Sequence, residues 1–296
     1  MSHEREVGER GLSDLKRRGL RNLIIVPQFI VPRPDIFLGN PWDLGSWLPK
    51  SYHCKDHLRC FIEINRAGVE LAAADSSALL IPSGTATDGR NTLTEAQGFE
   101  LLAEKLGWFG HPEVKSRMYP EIFATTSYLN LIYSICRFFE VTGKYPDRVL
   151  IPGMSYKEGR FSLHRMAIRW PEDRFEYIGV CDPPDPDIAK ALKAEIKNID
   201  EFRRFPHGKG SHEPIRNQHL FMPSYPWTNP PTIRELLLRT GSERVYAGPL
   251  PWDPWPRDIT EEFKAHAEKV LQYLEVMLKE RRARIKVVTT SSAGRA

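Results

Sequence analysis

The chain contains no run of 18 or more apolar residues, the length that a membrane-crossing helix requires. No GxGxxG follows its first strand-like segment and no GxxxxGK[ST] occurs, so a dinucleotide fingerprint and a Walker phosphate loop are both missing. The absence of GxSxG removes a nucleophile elbow, and no Ser-His-Asp set can be assigned. Cysteine is scarce. Cys54, Cys60, Cys136 and Cys181 include no CxxC pair, and Cys136 falls in an apolar helical segment where a small buried thiol is ordinary. The polar start (MSHEREVGERGLSDLKRRG) lacks the apolar stretch of a secretion signal. These absences lead to the expectation of a cytoplasmic, reduced protein with no membrane partner.

What is present is ordinary for a globular chain. Of 296 residues, 41% are hydrophobic and 27% charged, enough for a sizeable core in one large domain with an appendage. Net charge is only +4. The clusters Lys16-Arg17-Arg18 and Arg281-Arg282-Ala283-Arg284 read as solvated helix faces, so no nucleic acid partner is expected.

Three short continuous aliphatic runs read as strands covered on both faces: 22–27, 77–82 and 148–152, with a fourth at 175–180. The first three end in an aliphatic-proline pair, which marks where pairing should stop. Helical periodicity fills the gaps at 60–73, 94–106, 127–141 and 161–170, and this alternation predicts a doubly wound, mostly parallel α/β sheet with helices on both faces. The expected organisation is a polar arm (1–20), an α/β core (21–181), a Pro/Trp-rich extension or lid (182–257), a C-terminal helix on the core (258–288) and a disordered tail (289–296). Trp252 and Trp255 are read as pins for that extension rather than ligand clamps.

In such sheets ligands bind beyond the carboxyl ends of the strands, beside helix N-termini. The sequence places Ser83-Gly-Thr-Ala-Thr-Asp-Gly-Arg90, Gly153-Met-Ser-Tyr-Lys-Glu-Gly-Arg160 and Thr125-Thr-Ser127 there. Hydroxyls at helix starts are caps first and ligand contacts second. His53 and His57 stand four apart but read as a polar turn. Asp182, Asp185 and Asp187 match a calcium loop only loosely, so no metal is expected.

The series Leu23-Ile-Ile-Val26, Leu80-Ile-Pro-Ser-Gly84, Thr94-Glu-Ala96, Ser127-Tyr128 with Asn130, Arg137-Phe138, Val141-Thr-Gly-Lys-Tyr-Pro146, Lys157, Arg160-Phe161, Leu163-His-Arg165 and Leu250-Pro-Trp252 resembles the family called domain of unknown function 218. This family includes the YdcF- and SanA-like proteins, and the resemblance leans to its fungal branch. The resemblance spans Asn22 to Trp252 and implies a Rossmann-like fold with a small C-terminal extension. It also implies binding of S-adenosylmethionine or a nucleotide-like anion. The chain departs from the family pattern at three places. Gln28-Phe29 replaces glycine and histidine, and Gly84-Thr85 replaces a double glycine. Thr126-Ser-Tyr-Leu-Asn130 stands where relatives carry an aspartate and a glutamate. Loss of those groups implies loss of metal ligands or general bases and a more apolar pocket.

The expectation is therefore a biosynthetic enzyme without cofactor or metal. It would cyclise or isomerise a small hydrophobic molecule, and a pericyclic, Diels–Alder-type step suits such a pocket. Lys157, Tyr156, Thr126 and Asn130 are the candidate catalytic groups. Gln28, Phe29, Ser83, Gly84, Thr85, Glu95, Thr125, Ser127, Ser155, Arg160 and His164 are the candidate substrate contacts. The alternative is a protein that binds an anion, a nucleotide or S-adenosylmethionine, or a phosphate-ester hydrolase, with Ser83, Asn130, Lys157, Arg160 and His164 around the anion. A homodimer is compatible with either.

Overall fold

The structure is a computed structural model that describes residues 19–33, 35, 39–50, 54–87, 93–185, 187–209 and 231–293. Strands run β1 (Asn22–Pro27), β2 (Val31–Pro32), β3 (Trp47–Leu48), β4 (Ala78–Ser83), β5 (Arg148–Gly153) and β6 (Phe175–Gly179). Helices run α1 (Lys55–Ala74), α2 (Glu95–Lys105), α3 (Ser127–Thr142), α4 (Glu158–Ala167), α5 (Asp187–Arg204), α6 (Arg234–Leu237) and α7 (Thr260–Ala293). The four long strands form one parallel sheet in the order β4-β1-β5-β6, while β2 and β3 make a small antiparallel pair. This is the Rossmann-like α/β fold that the alternation predicts.

The aliphatic runs explain the sheet. Leu23, Ile24, Ile25 and Val26 are enclosed, as is all of β4, because helices cover the sheet. In register, Ile24 lies between Leu80 and Leu150. Gly68 lets α1 approach closely, since a Cβ there would meet Val26 Cγ2 at 2.4 Å. One expectation is corrected. β1 does stop at Pro27, but β4 and β5 pair one residue past their prolines, with Ser83 against Pro27 and Gly153 against Gly179. Proline lacks the N–H but keeps its carbonyl, and the carbonyl of Pro82 accepts from the Glu121 N–H at 2.9 Å.

Helix starts follow local chemistry. Thr94 and Gln97 form a reciprocal capping box on α2. Thr126 caps α3, accepting from the Leu129 N–H at 3.3 Å, and α3 ends at Gly143 with φ 77°. α7 packs along α5 and α4 through its apolar stripe, with Phe263 and Ala267 fully enclosed. It continues to Ala293, past the end expected at 288, because the Thr-Thr-Ser-Ser stretch holds no helix breaker. Residues 1–18, 210–230 and 294–296, within the expected arm, extension and tail, lie outside the described residues.

Trp252 is a pin: its Nε1 donates to the Ile168 carbonyl at 2.8 Å and its ring meets Trp170 and Tyr145. Trp255 is 77% exposed and pins nothing. Cys60 on α1 and Cys181 after β6 are joined by a disulfide across 121 residues of sequence, which corrects the reduced reading of the cysteines. Sequence spacing does not reveal the pair, because sheet order alone brings them together. Among the described residues, no helix is long and apolar enough to cross a membrane.

Candidate functional site

A cleft of about 770 Å³ opens at the carboxyl ends of β1 and β5, with Pro27, Pro152 and Gly153 in its wall. The fold dictates this place. β1 is followed in space by β4 on one side and β5 on the other, so the connections diverge there and leave a crevice. α5 contributes Ala191, Ala194, Asn198 and Phe202.

Ten of the sequence-predicted residues line this cleft: Gln28, Phe29, Glu95, Thr125, Thr126, Ser127, Asn130, Tyr156, Lys157 and Arg160. Five do not. Ser83 is buried, giving its hydroxyl proton to Glu121 at 2.5 Å and receiving the Asn130 amide at 2.9 Å. Gly84 packs behind Glu95, where a Cβ would meet its Oε2 at 2.8 Å. Thr85 is buried and spends its backbone on Ala124 and Glu95. Ser155 is exposed outside the cleft, against Gly179. His164 is fully buried behind Ser127. Asp88, Gly89, Arg90 and His53 lie outside the described residues.

One side of the cleft presents hydrogen-bond donors. Ser127 opens α3, so the first N–H groups of a 16-residue helix face a lining hydroxyl row, Thr125 to Ser127. Ser127 Oγ lies 2.8 Å from His164 Nε2 and 3.4 Å from Arg160 Nη1. Burial first, then the nearby Arg160 charge, hold His164 well below its ordinary pKa, so its ring is neutral. Its Nδ1 has no partner. A bare ring nitrogen is cheaper to bury than an unpaired N–H, so Nε2 carries the proton and donates to Ser127. The Ser127 proton is thereby left for the cleft.

Arg160 does not face a ligand as an open cation. Its guanidinium grips Glu195 in two parallel bonds of 2.8 and 2.6 Å. Lys157 is the available cation. Its ammonium sits 4.9 Å from the Phe29 ring centroid and 5.7 Å from that of Tyr156, with no hydrogen bond or ion pair to a described residue. Burial and the Arg160 charge lower its pKa to about 8, with Glu195, Asp182 and Glu95 acting in the opposite direction. It stands at the cap position of α4, where the helix dipole disfavours a cation.

The other side carries acceptors. Glu95 opens α2 and is 5% exposed, and its Oε1 accepts from the Thr87 hydroxyl at 2.5 Å. Burial pushes its pKa up to about 7, against lowering contributions from Thr87, Lys50 and Lys157. Gln28, after β1, and Asn130, on α3, line the same cleft. The lining is therefore mixed rather than apolar, which corrects the pocket expected from the loss of family acids. Glu95, on α2, and Asp187 and Glu195, on α5, line the cleft.

The candidate residues omit Lys50, Cys54, His57, Thr87, Tyr177, Asp187, Lys190 and Glu195, all of which line the cleft, although Thr87 lies in the 83–90 loop and His57 and Asp187 in the two metal-like patterns. Of the others, Glu195 left a signal. It occupies the apolar stripe of α5 with Ile188, Leu192, Ile199 and Phe202, where a lone acid demands a partner. The Cys54 thiol donates to Asp187 Oδ2 at 3.1 Å and lies 3.0 Å from His57 Nδ1. Ligand atoms of Cys54, Asp56 and Asp187 all lie within 4.8 Å of one another. Burial raises the Cys54 pKa. The three aspartates of the loose calcium pattern diverge: Asp182 accepts from the Tyr156 N–H, Asp185 pairs with Arg281, and Asp187 meets Cys54.

No family model matches the chain, and no solved structure matches it. A stretch of 65 residues is 45% identical to an uncharacterized protein of Saccharomyces cerevisiae, YOR238W, covering 22% of this chain and 22% of that protein. The chain thus matches well under two thirds of that relative's length.

Proposed function

We propose that the cleft is a general acid–base site of isomerase or lyase type for a small molecule bearing an anionic group next to a carbonyl. The observation that carries this reading is the meeting of buried Glu95 and the unpaired Lys157 ammonium in one cleft at the strand ends. A carboxyl poised near neutrality takes or returns a proton with little driving-force loss. The ammonium and the Ser127 hydroxyl supply fixed positive ends where negative charge develops. The mixed lining moves the reading from a pericyclic step on a hydrophobic metabolite towards proton transfer on a polar one.

Deuterium exchange tests it while the substrate is still unidentified. The purified protein is incubated in D₂O with pyruvate, dihydroxyacetone phosphate and related carbonyl compounds, and proton NMR follows the position next to the carbonyl. Enzyme-dependent exchange in at least one compound is expected. No exchange across the panel overturns the acid–base reading.

The free Lys157 ammonium beside the α3 start favours a second reading, an anion-binding protein or phosphate-ester hydrolase that keeps the ligand class of the domain of unknown function 218 proteins. The meeting of Ser127 and Lys157 at one cleft supports that family assignment within the same proposal. A cytoplasmic setting also belongs to this proposal.

A further inference from the structure

Two side-chain amides in the cleft are fixed in orientation by partners that can only accept. The Gln28 amide nitrogen donates to the Val26 carbonyl at 3.1 Å and to Asn65 Oδ1 at 3.0 Å. Asn65 is itself oriented, because its nitrogen donates to the Phe61 carbonyl at 2.6 Å. Both N–H groups of Gln28 are thereby used, and turning the amide over would set its oxygen against the Val26 carbonyl and Asn65 Oδ1, two acceptors. Its Oε1 is left buried with no partner, on a residue 5% exposed that lines the cleft.

Asn130 repeats the arrangement from another element. Its nitrogen donates to the Ser83 carbonyl at 3.0 Å and to Ser83 Oγ at 2.9 Å. Ser83 Oγ can accept because its own proton goes to Glu121. The Asn130 nitrogen is therefore committed inward, and its Oδ1 has no partner among the described residues. Asn130 thus offers the cleft an acceptor, not the donor that a carbonyl-polarising role requires.

We propose that Gln28 and Asn130, beside Glu95, form an acceptor subsite that takes a hydrogen-bond-donating group, an amine or a hydroxyl, of the ligand whose anionic group sits at Ser127 and Lys157. This inference rests on the anion-binding part of the proposed function. The two poles come from different elements and meet in one cleft. Acceptors gather around the ends of β1 and β4, and the lysine comes from the loop after β5. A buried carbonyl oxygen without a partner costs stability unless a ligand donor or a water satisfies it, and a ligand that brings the donor gains that bond on binding. Such a site selects against isosteres that lack the donor, because they leave the buried Gln28 oxygen unpaired.

Isothermal calorimetry with ethyl phosphate, O-phosphoethanolamine and glycerol 3-phosphate tests the subsite. The three share the anion and differ in the donor. O-phosphoethanolamine or glycerol 3-phosphate is expected to bind at least tenfold tighter than ethyl phosphate, and which of them does so identifies amine or hydroxyl. Gln28→Met and Asn130→Leu are each expected to shrink that gap, and Gln28→Met to do so while leaving ethyl phosphate affinity unchanged. Should either variant fail to fold, the side-chain amide NMR signals of Gln28 and Asn130 in the wild-type protein give a second readout. They are expected to shift with the tighter ligand and stay still with ethyl phosphate. Equal binding of all three, or still amide signals, overturns the acceptor subsite alone. Silence for all three overturns the anion site together with it.

Discussion

Glu95 and Glu121 share a chemistry and differ in surroundings. Both are carboxyls beside the end of β4, 5% and 1% exposed, and burial pushes both up to about 7. Glu121 accepts three hydrogen bonds, from Ser83 Oγ and from the Phe123 and Ala124 N–H groups, and lies outside the cleft. Glu95 accepts one side-chain bond, from Thr87, and faces the cleft. A raised pKa therefore does not distinguish a working carboxyl from a structural one. What distinguishes them is unspent hydrogen-bonding capacity in contact with a place where a ligand fits.

Four experiments test this difference. Replacing Glu121 by alanine strands three donors and should cost on the order of 3–5 kcal/mol in urea unfolding. Glu95→Ala should cost about 1 kcal/mol, and equal losses would erase the distinction. The pH dependence follows next. Between pH 4.5 and about 7 each carboxyl is protonated in the folded chain and ionised in the unfolded one, so stability falls as pH rises through that window. Glu121→Gln should flatten that fall by on the order of 3 kcal/mol between pH 4.5 and 7.5. A variant with an unchanged slope would show that Glu121 titrates normally.

Glu95→Gln should reduce deuterium exchange at least a hundredfold, about 2.7 kcal/mol, while moving the melting temperature little. Retained exchange would remove Glu95 from the chemistry. The smallest effect is that of Lys157→Met, which should weaken ethyl phosphate at least tenfold, about 1.4 kcal/mol, with folding intact. Unchanged affinity would leave the anion to Ser127 and the α3 N-terminus.

How much of this was legible in the sequence depends on the range of the signal. The strands were readable because a sheet covered on both faces needs unbroken aliphatic runs, and Leu23 to Val26 is one. Thr126 was readable as a cap because capping chemistry is local. Two kinds of information were not available. Which way an amide points depends on carbonyls far along the chain, so Asn130 read as a donor and faces the cleft as an acceptor. Contacts such as Cys54 with Asp187, 133 residues apart, depend on strand order, which no window of residues encodes. Glu195 was the intermediate case. Its place on an apolar stripe was visible, but its partner Arg160 was not.

The prolines at the strand ends bear on the thermodynamics of binding. Pro82, Pro27 and Pro152 sit near the carboxyl ends of three adjacent strands, and Pro27 and Pro152 lie in the cleft wall. Each fixes its own φ and restricts the residue before it, so these strand ends have few conformations to lose. A ligand arriving there would meet a floor that folding has already ordered. Its association should then lack the large opposing entropy of coupled ordering, and the heat-capacity change should reflect only the apolar surface covered.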